Sequence, residues 1–197
     1  MPASRIKEWF WNWPGSTRIF VMTHIHDTPE LTTADIGEQT GELIVNDAQD
    51  NYQTLLNMLD KGRRSLAVYS RYLDGKLYDQ QEFSIALRRL ASRHPQSQVR
   101  ILIRDIEPLV KHGHRLIELA RHLSSSMEIR VIHKDYAENN ETFFIVDERA
   151  VLHRKQAERY EGIANYNDPR LAHYLLHQFN EAWEHSQVPT DARRLYL

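Results

Sequence analysis

The sequence contains no cysteine. That excludes disulfides and thiolate metal sites, and it suits the reducing cytoplasm that is the expected location. No apolar stretch approaches the roughly 20 residues of a membrane-spanning helix. Residues 1–21 lack the unbroken apolar segment and small-residue cleavage site of a secretory signal. Net charge is also small: 25 Lys and Arg stand against 27 Asp and Glu, a formal charge of −2. So balanced a chain has no global attraction to nucleic acid or anionic lipid, which leaves local basic patches as the only electrostatic footprint. No internal repeat, low-complexity tract or cofactor-binding motif interrupts it, and no cofactor is expected.

What is present is the composition of one globular domain. The chain has 197 residues, 41% of them apolar and 26% charged, enough for a core that stands alone. The division expected is an extended or disordered leader over 1–41 and a folded domain over 42–197. In the leader, Trp9, Trp11 and Trp13 sit beside Phe10, ahead of Pro14-Gly15-Ser16 and a second Met at Met22. This stretch reads either as a loosely packed extension upstream of the true start, the preferred reading, or as an aromatic anchor for a membrane surface or partner. His24, His26 and Asp27 have metal-ligand chemistry, but no further ligand cluster supports them, so no metal site is assigned.

From residue 42 the hydrophobic pattern sets out the elements. Glu42–Val45 reads as a short strand, and Asn46 or Asp47 offers a cap to a helix over Asp50–Lys61, with Tyr52, Leu55, Leu56 and Leu59 on one face. Gly62 reads as its left-handed stop. A strand over Ser65–Ser70, a helix over Asp79–Ser92 stopped before Pro95, and a strand over Gln98–Asp105 follow. Then come a helix over Gly113–Leu123 and a strand over Glu128–His133. This alternation predicts an α/β fold, a three-layer sandwich around a mixed, mostly parallel sheet. The second half changes character. Phe143–Val146, Val151–His153 and Tyr160–Ala164 read as short strands in an antiparallel meander. Asp168-Pro169 opens a last helix carrying Leu171, Leu175, Leu176, Phe179, Ala182 and Trp183.

The run from Asn139 to Asn165 contains Thr142-Phe143-Phe144-Ile145-Val146-Asp147, a turn, a second apolar run, and Gly162-Ile163-Ala164-Asn165. In the order of its elements, residues 42–186 resemble one half-unit of the phospholipase D superfamily. That family carries His-x-Lys-x-x-x-x-Asp on a strand, followed by a Gly/Ser pair and an Asn. Here Asp147 matches the acid, Asn140 stands at the His position and Thr142 at the Lys position. The Gly/Ser zone holds Arg154-Lys155-Gln156. Active members use one His as nucleophile on phosphorus and a second as acid, so the resemblance implies the ancestry without the chemistry: a degenerate motif and no catalytic residue. Gly113–Arg121 and Trp183 are also similar to a bacterial family of such domains, some fused to acetyltransferases of the GNAT type. The chain lacks the Arg/Gln-x-x-Gly-x-Gly/Ala loop that cradles coenzyme A. An acetyltransferase is therefore implied only as a partner, and pairing of half-units implies a homodimer.

Ligands of open α/β sheets lie beyond the carboxyl ends of the strands. The expected anion site there collects Arg71, Arg104, His133, and His114 and Arg115 from the start of the third helix, and would take a phosphate-bearing ligand or nucleic acid. In the opposing reading Arg71 and Arg104 pair with Asp105, Asp74 or Glu107 as a solvated rim. Asp147 reads as an acceptor for backbone N–H groups at a turn. His133 and His153 are the histidines that a relocated phosphodiesterase chemistry would recruit. A protein-interaction or dimerisation module is the remaining class. If the leader is an extension, a chain beginning at Met22 unfolds at the temperature of the full chain, which thermal denaturation checks directly.

Overall fold

The computed structural model describes residues 34–38 and 41–189. The Trp-rich stretch, the His24/His26/Asp27 cluster and the C-terminal Leu195-Tyr196-Leu197 lie outside them. The elements run in the order β1 (Leu43–Val45), α1 (Ala48–Lys61), β2 (Ser65–Ser70), α2 (Gly75–Tyr78), α3 (Gln81–Ser92) and β3 (Gln98–Ile103). There follow α4 (Glu107–His112), α5 (Arg115–His122), β4 (Met127–Val131), a 3-10 turn (Lys134–Tyr136), β5 (Thr142–Val146), β6 (Ala150–Arg154), β7 (Gly162–Asn165) and α6 (Pro169–His185).

The seven strands of the described residues form one sheet in the order β1-β7-β6-β5-β2-β3-β4. β2 joins its two halves, parallel to β3 and antiparallel to β5. The sheet is mixed, as the alternation implied, but mostly antiparallel rather than mostly parallel. Only β2–β3 and β3–β4 run in parallel; β1–β7, β2–β5, β5–β6 and β6–β7 are antiparallel. Helical crossovers make the parallel half. The tight turn after Val146 and the short loop 155–161 leave no room for a crossover, so these strands can only reverse direction.

Strand alternation divides the core in two. Leu66 and Val68 of β2, with Phe144, Val146, Leu152 and Ala164, face α1, α3 and α5 through Leu55, Leu59, Phe83, Leu87 and Leu116. Ala67 and Tyr69, with Leu102, Phe143, Ile145 and Val151, face α6 through Leu175, Phe179 and Trp183. The result is the α/β/α sandwich. Residues 34–38 also pack here: Ala34 is buried, Ile36 lies against the core, the Gly37 N–H donates to Tyr166 O (3.0 Å), and Lys61 pairs with Asp35 at 2.6 Å.

Two local readings change. Gly62 is extended (φ −61°), not left-handed. Glycine is needed there for space, because a Cβ would stand 2.6 Å from Val146 Cγ1 and 3.2 Å from Leu90 Cδ1. The short helices α2 and α4 were not anticipated. Each is under two turns and too brief to show a period, and α4 carries Pro108 in its first turn, where alone a helix tolerates it.

The β5–β6 turn binds the two halves. Its Arg149 N–H donates to Val146 O (3.1 Å), and both central residues have positive φ, Asp147 at 51° and Glu148 at 55°. Such a turn matches the twist of a hairpin. The Asp147 carboxylate then accepts the backbone N–H groups of Arg63 (2.6 Å), Arg64 (2.7 Å) and Ser65 (2.9 Å) at the entry to β2. Asp147→Ala leaves three donors without that acceptor and should lower unfolding free energy by about 2–3 kcal/mol. Glu148→Gly, relieved of its left-handed strain, should raise it by about 1 kcal/mol. Urea denaturation of both variants reads these opposite signs.

Candidate functional site

The parallel register of β2 and β3 pairs Ser70 with Ile103. The ladder continues one step past the strands: the Arg104 N–H donates to Ser70 O (3.1 Å) and the Asp105 N–H to Arg71 O (2.8 Å). Arg71 and Arg104 are thereby brought side by side at the carboxyl edge, with Asp105 between them. One Asp105 oxygen accepts from Arg71 Nε at 3.0 Å, and the other lies 3.5 Å from Arg104 Nε. Arg104 also donates through Nη1 to Ala137 O (2.9 Å).

Arg71 reaches further, to Glu158 in the loop between β6 and β7, through a short ion pair from Nη1 to Oε1. The other Glu158 oxygen accepts from Asn140 Nδ2 at 2.9 Å. A continuous chain therefore runs Arg104, Asp105, Arg71, Glu158, Asn140, with donors and carboxylates in alternation. Asp105 first, then Glu158, favours the charged form of the Arg71 guanidinium and raises its pKa. The Asn140 amide, foremost, holds the Glu158 carboxyl below the ordinary glutamate value.

Thr142 begins β5 opposite Arg154 at the end of β6. Both are buried, on the α1/α3/α5 face by alternation from Phe144 and Leu152. The Thr142 hydroxyl has no hydrogen-bond partner among the described residues. Arg154 donates to Arg159 O (3.2 Å) and lies over the Tyr160 ring, 5.8 Å from its centroid. Gly162 makes room for this: a Cβ there would stand 2.7 Å from Arg154 Cγ and 2.6 Å from His153 O. Tyr160 in turn donates its hydroxyl to Asp74. On the opposite face of the sheet, His153 Nε2 lies 3.3 Å from Glu141 Oε2.

The remaining residues of the expected anion site are not drawn in. His114 caps α5, its Nδ1 accepting the Leu116 N–H at 3.2 Å, and burial lowers its pKa. Arg115 is taken by Asp79: its N–H donates to Oδ1 (2.8 Å) and its Nη1 to the backbone oxygen (2.7 Å). His133 caps the 3-10 turn and sits 3.4 Å from Asp135 Oδ2. His114 and His133 are held by local capping geometry, and Arg115 by a carboxylate 36 residues away. Asp147 lies at the other end of β5, and Asn165 pairs with Val151 of β6, several residues short of the Arg154 end. Arg154, Glu158, Tyr160 and Glu141 were missed. The available signal for Arg154 was a charge ending a strand whose same-face residues, Ala150 and Leu152, are apolar. Glu158 gave none, because loop folding alone brings it to Arg71.

Chemically, the chain from Arg104 to Asn140 contains guanidinium and amide donors but no imidazole. An amide nitrogen has its lone pair delocalised and cannot attack phosphorus. Among the described residues no cluster of His, Asp and Glu has metal-holding geometry, and no helix is long and apolar enough to cross a membrane.

The His153–Glu141 pair makes a pH prediction. The His153 imidazole, 3.3 Å away, is foremost in depressing the Glu141 pKa below its ordinary 4.5. A depressed carboxyl stabilises the fold fully above its unfolded value, and that stabilisation is lost as pH falls through the folded value. Glu141→Gln should therefore cost about 1.5 kcal/mol at pH 7 and progressively less on acidification below 4.5. Urea denaturation at neutral and acidic pH measures the difference.

Solved structures share this fold. Nuc from Salmonella typhimurium, a phospholipase D family member, aligns with a TM-score of 0.54 at 15% identity over 77% of this chain and 99% of its own. NucT from Helicobacter pylori aligns at 0.53 and 13% identity over 77% and 100%. TrmBL2, an archaeal chromatin protein with a novel mode of DNA binding, aligns at 0.57 and 18% identity over 77% of this chain. This chain spans 55% of the length of TrmBL2. These identities show the fold, which is phospholipase D-like. No curated protein matches the sequence. Residues 47–195 match the family described as a domain of unknown function, DUF7931, and the chain belongs to that family.

Proposed function

We propose that this domain is a non-catalytic phospholipase D-like module that binds a phosphate-bearing ligand, including the backbone of a nucleic acid, at the carboxyl edge of β2 and β3. The observation that carries this reading is the pair Arg71 and Arg104 beyond those strand ends, sharing Asp105, with Asn140 in reach of the same chain. Guanidinium forks and an amide are donors suited to phosphate oxygens. Asn140 and Thr142, where the superfamily signature carries His and Lys, remove the nucleophile and a charge while leaving hydrogen-bonding groups. DNA binding by TrmBL2, a protein of similar fold, supports phosphate-backbone recognition as a use of this architecture. A cytoplasmic location and a homodimer belong to the same proposal; an acetyltransferase partner belongs to its alternative, a protein-interaction or dimerisation module.

A second reading rests on the His153–Glu141 contact at 3.3 Å. A carboxylate-oriented imidazole is the arrangement that a relocated phosphodiesterase would use. His153 is only 8% exposed and lies on the α6 face, which favours the binding reading.

The test is fluorescence anisotropy of labelled single-stranded RNA and DNA at two salt concentrations. Binding should weaken with salt and fall at least about tenfold in the Arg71→Ala/Arg104→Ala double variant. No binding at tens of micromolar, roughly the ordinary range of non-specific affinity, sinks the nucleic-acid reading. Hydrolysis of a phosphodiester substrate that disappears in His153→Ala would put the second reading in its place.

A further inference from the structure

Glu158 stands out because it is an anion occupying two donors of the proposed anion site, Arg71 and Asn140. Its two carboxylate oxygens are divided, one on Arg71 Nη1 and one on Asn140 Nδ2. Two non-bridging phosphate oxygens would address the same donors in the same way. The loop that presents Glu158 is fastened on both sides. Before it, Ala157 is buried and its N–H donates to Asn140 O at 2.9 Å. After it, Asn51 Nδ2 donates to Tyr160 O (2.7 Å), the Tyr160 hydroxyl donates to Asp74, and Arg154 Nη1 donates to Arg159 O (3.2 Å). The backbone is thus held by neighbours whether or not the Glu158 carboxylate is engaged.

The side chains of Arg71 and Glu158 are both partly open to water. Their pairing is therefore screened and exchangeable, unlike a buried pair. Vacating the site needs rotation of one glutamate side chain, with no opening of the loop. Charge points the same way. Arg71 and Arg104 against Asp105 and Glu158 sum to zero. With Glu158 removed, the same cluster carries +1, and an approaching anion meets attraction where it otherwise meets balance.

We propose that Glu158 is an internal competitor for the phosphate site: its carboxylate holds Arg71 and Asn140 in the free protein, and a phosphate group binds them by displacing it. This rests on the anion-binding reading of the Arg71 edge. The affinity of the site is then set by Glu158, and a partner or modification that draws Glu158 away would switch the site on.

The test uses the full chain and four forms: unaltered, Glu158→Gln, Glu161→Gln, and Arg71→Ala combined with Glu158→Gln. Glu161 is an exposed carboxylate of the same loop and controls for bulk charge. Two probes are used, inorganic phosphate by calorimetry and a labelled single-stranded DNA by anisotropy. Glu158→Gln should tighten binding by about five- to tenfold, Glu161→Gln should leave it unchanged, and the Arg71→Ala change should abolish the gain. A gain with both probes identifies any phosphate group as sufficient; a gain with DNA alone identifies a phosphodiester chain. Equal tightening by the two glutamine variants overturns the proposal in favour of general charge. Arg71-dependent binding that Glu158→Gln does not improve overturns it while the anion site stands. Absence of binding by every form overturns both.

Discussion

Three backbone N–H groups converging on the Asp147 carboxylate hold this fold together across its two halves. Arg63, Arg64 and Ser65 lead into β2, the strand from which the parallel half grows, while Asp147 closes the first hairpin of the antiparallel half. A carboxylate accepting several N–H groups is a strong and directional clamp. It sets the register of β2 on β5 at Leu66 opposite Val146. Because side chains alternate along a strand, a slip of β2 by one residue would move Tyr69 to the face of α1 and Val68 to that of α6.

That register has consequences at the far end of the same strands. Tyr69 pairs with Phe143, so the residues just beyond, Arg71 on one chain segment and Asn140 on another, come out at the same edge. The parallel partner β3 adds Arg104 and Asp105 there. The cluster is thus a product of strand pairing and of one loop, and its charges are balanced internally. Such balance lets polar groups gather at the edge of a packed sheet at small energetic cost, and it also means that a ligand must compete with the carboxylates already present.

Gly62 and Gly162 show a shared constraint. Gly62 lets Val146 and Leu90 close over the end of α1, and Gly162 lets the Arg154 side chain lie flat beside β7. In both, the absent Cβ makes room for a neighbour brought from elsewhere in the sequence. Neither position needs positive φ, so neither reason could be read from turn chemistry.

Short-range physics determined a good deal in advance. Period-3.6 apolar spacing located α1, α3, α5 and α6 within two residues at most of their ends. The Asp168-Pro169 start of α6 and the acceptor role open to Asp147 follow from side-chain chemistry alone. The α/β class followed from the order of those elements, and the superfamily resemblance from the order of Asp147 and its neighbours. What the tertiary structure decided was every relation between distant residues. It made the sheet mostly antiparallel and gave Arg115 to Asp79. It also buried Arg154 and carried Glu158 across 87 positions to Arg71. Helix period and capping act over a few residues and leave a local pattern. Pairing register and loop placement depend on which surfaces are buried together, and no window of the sequence records that.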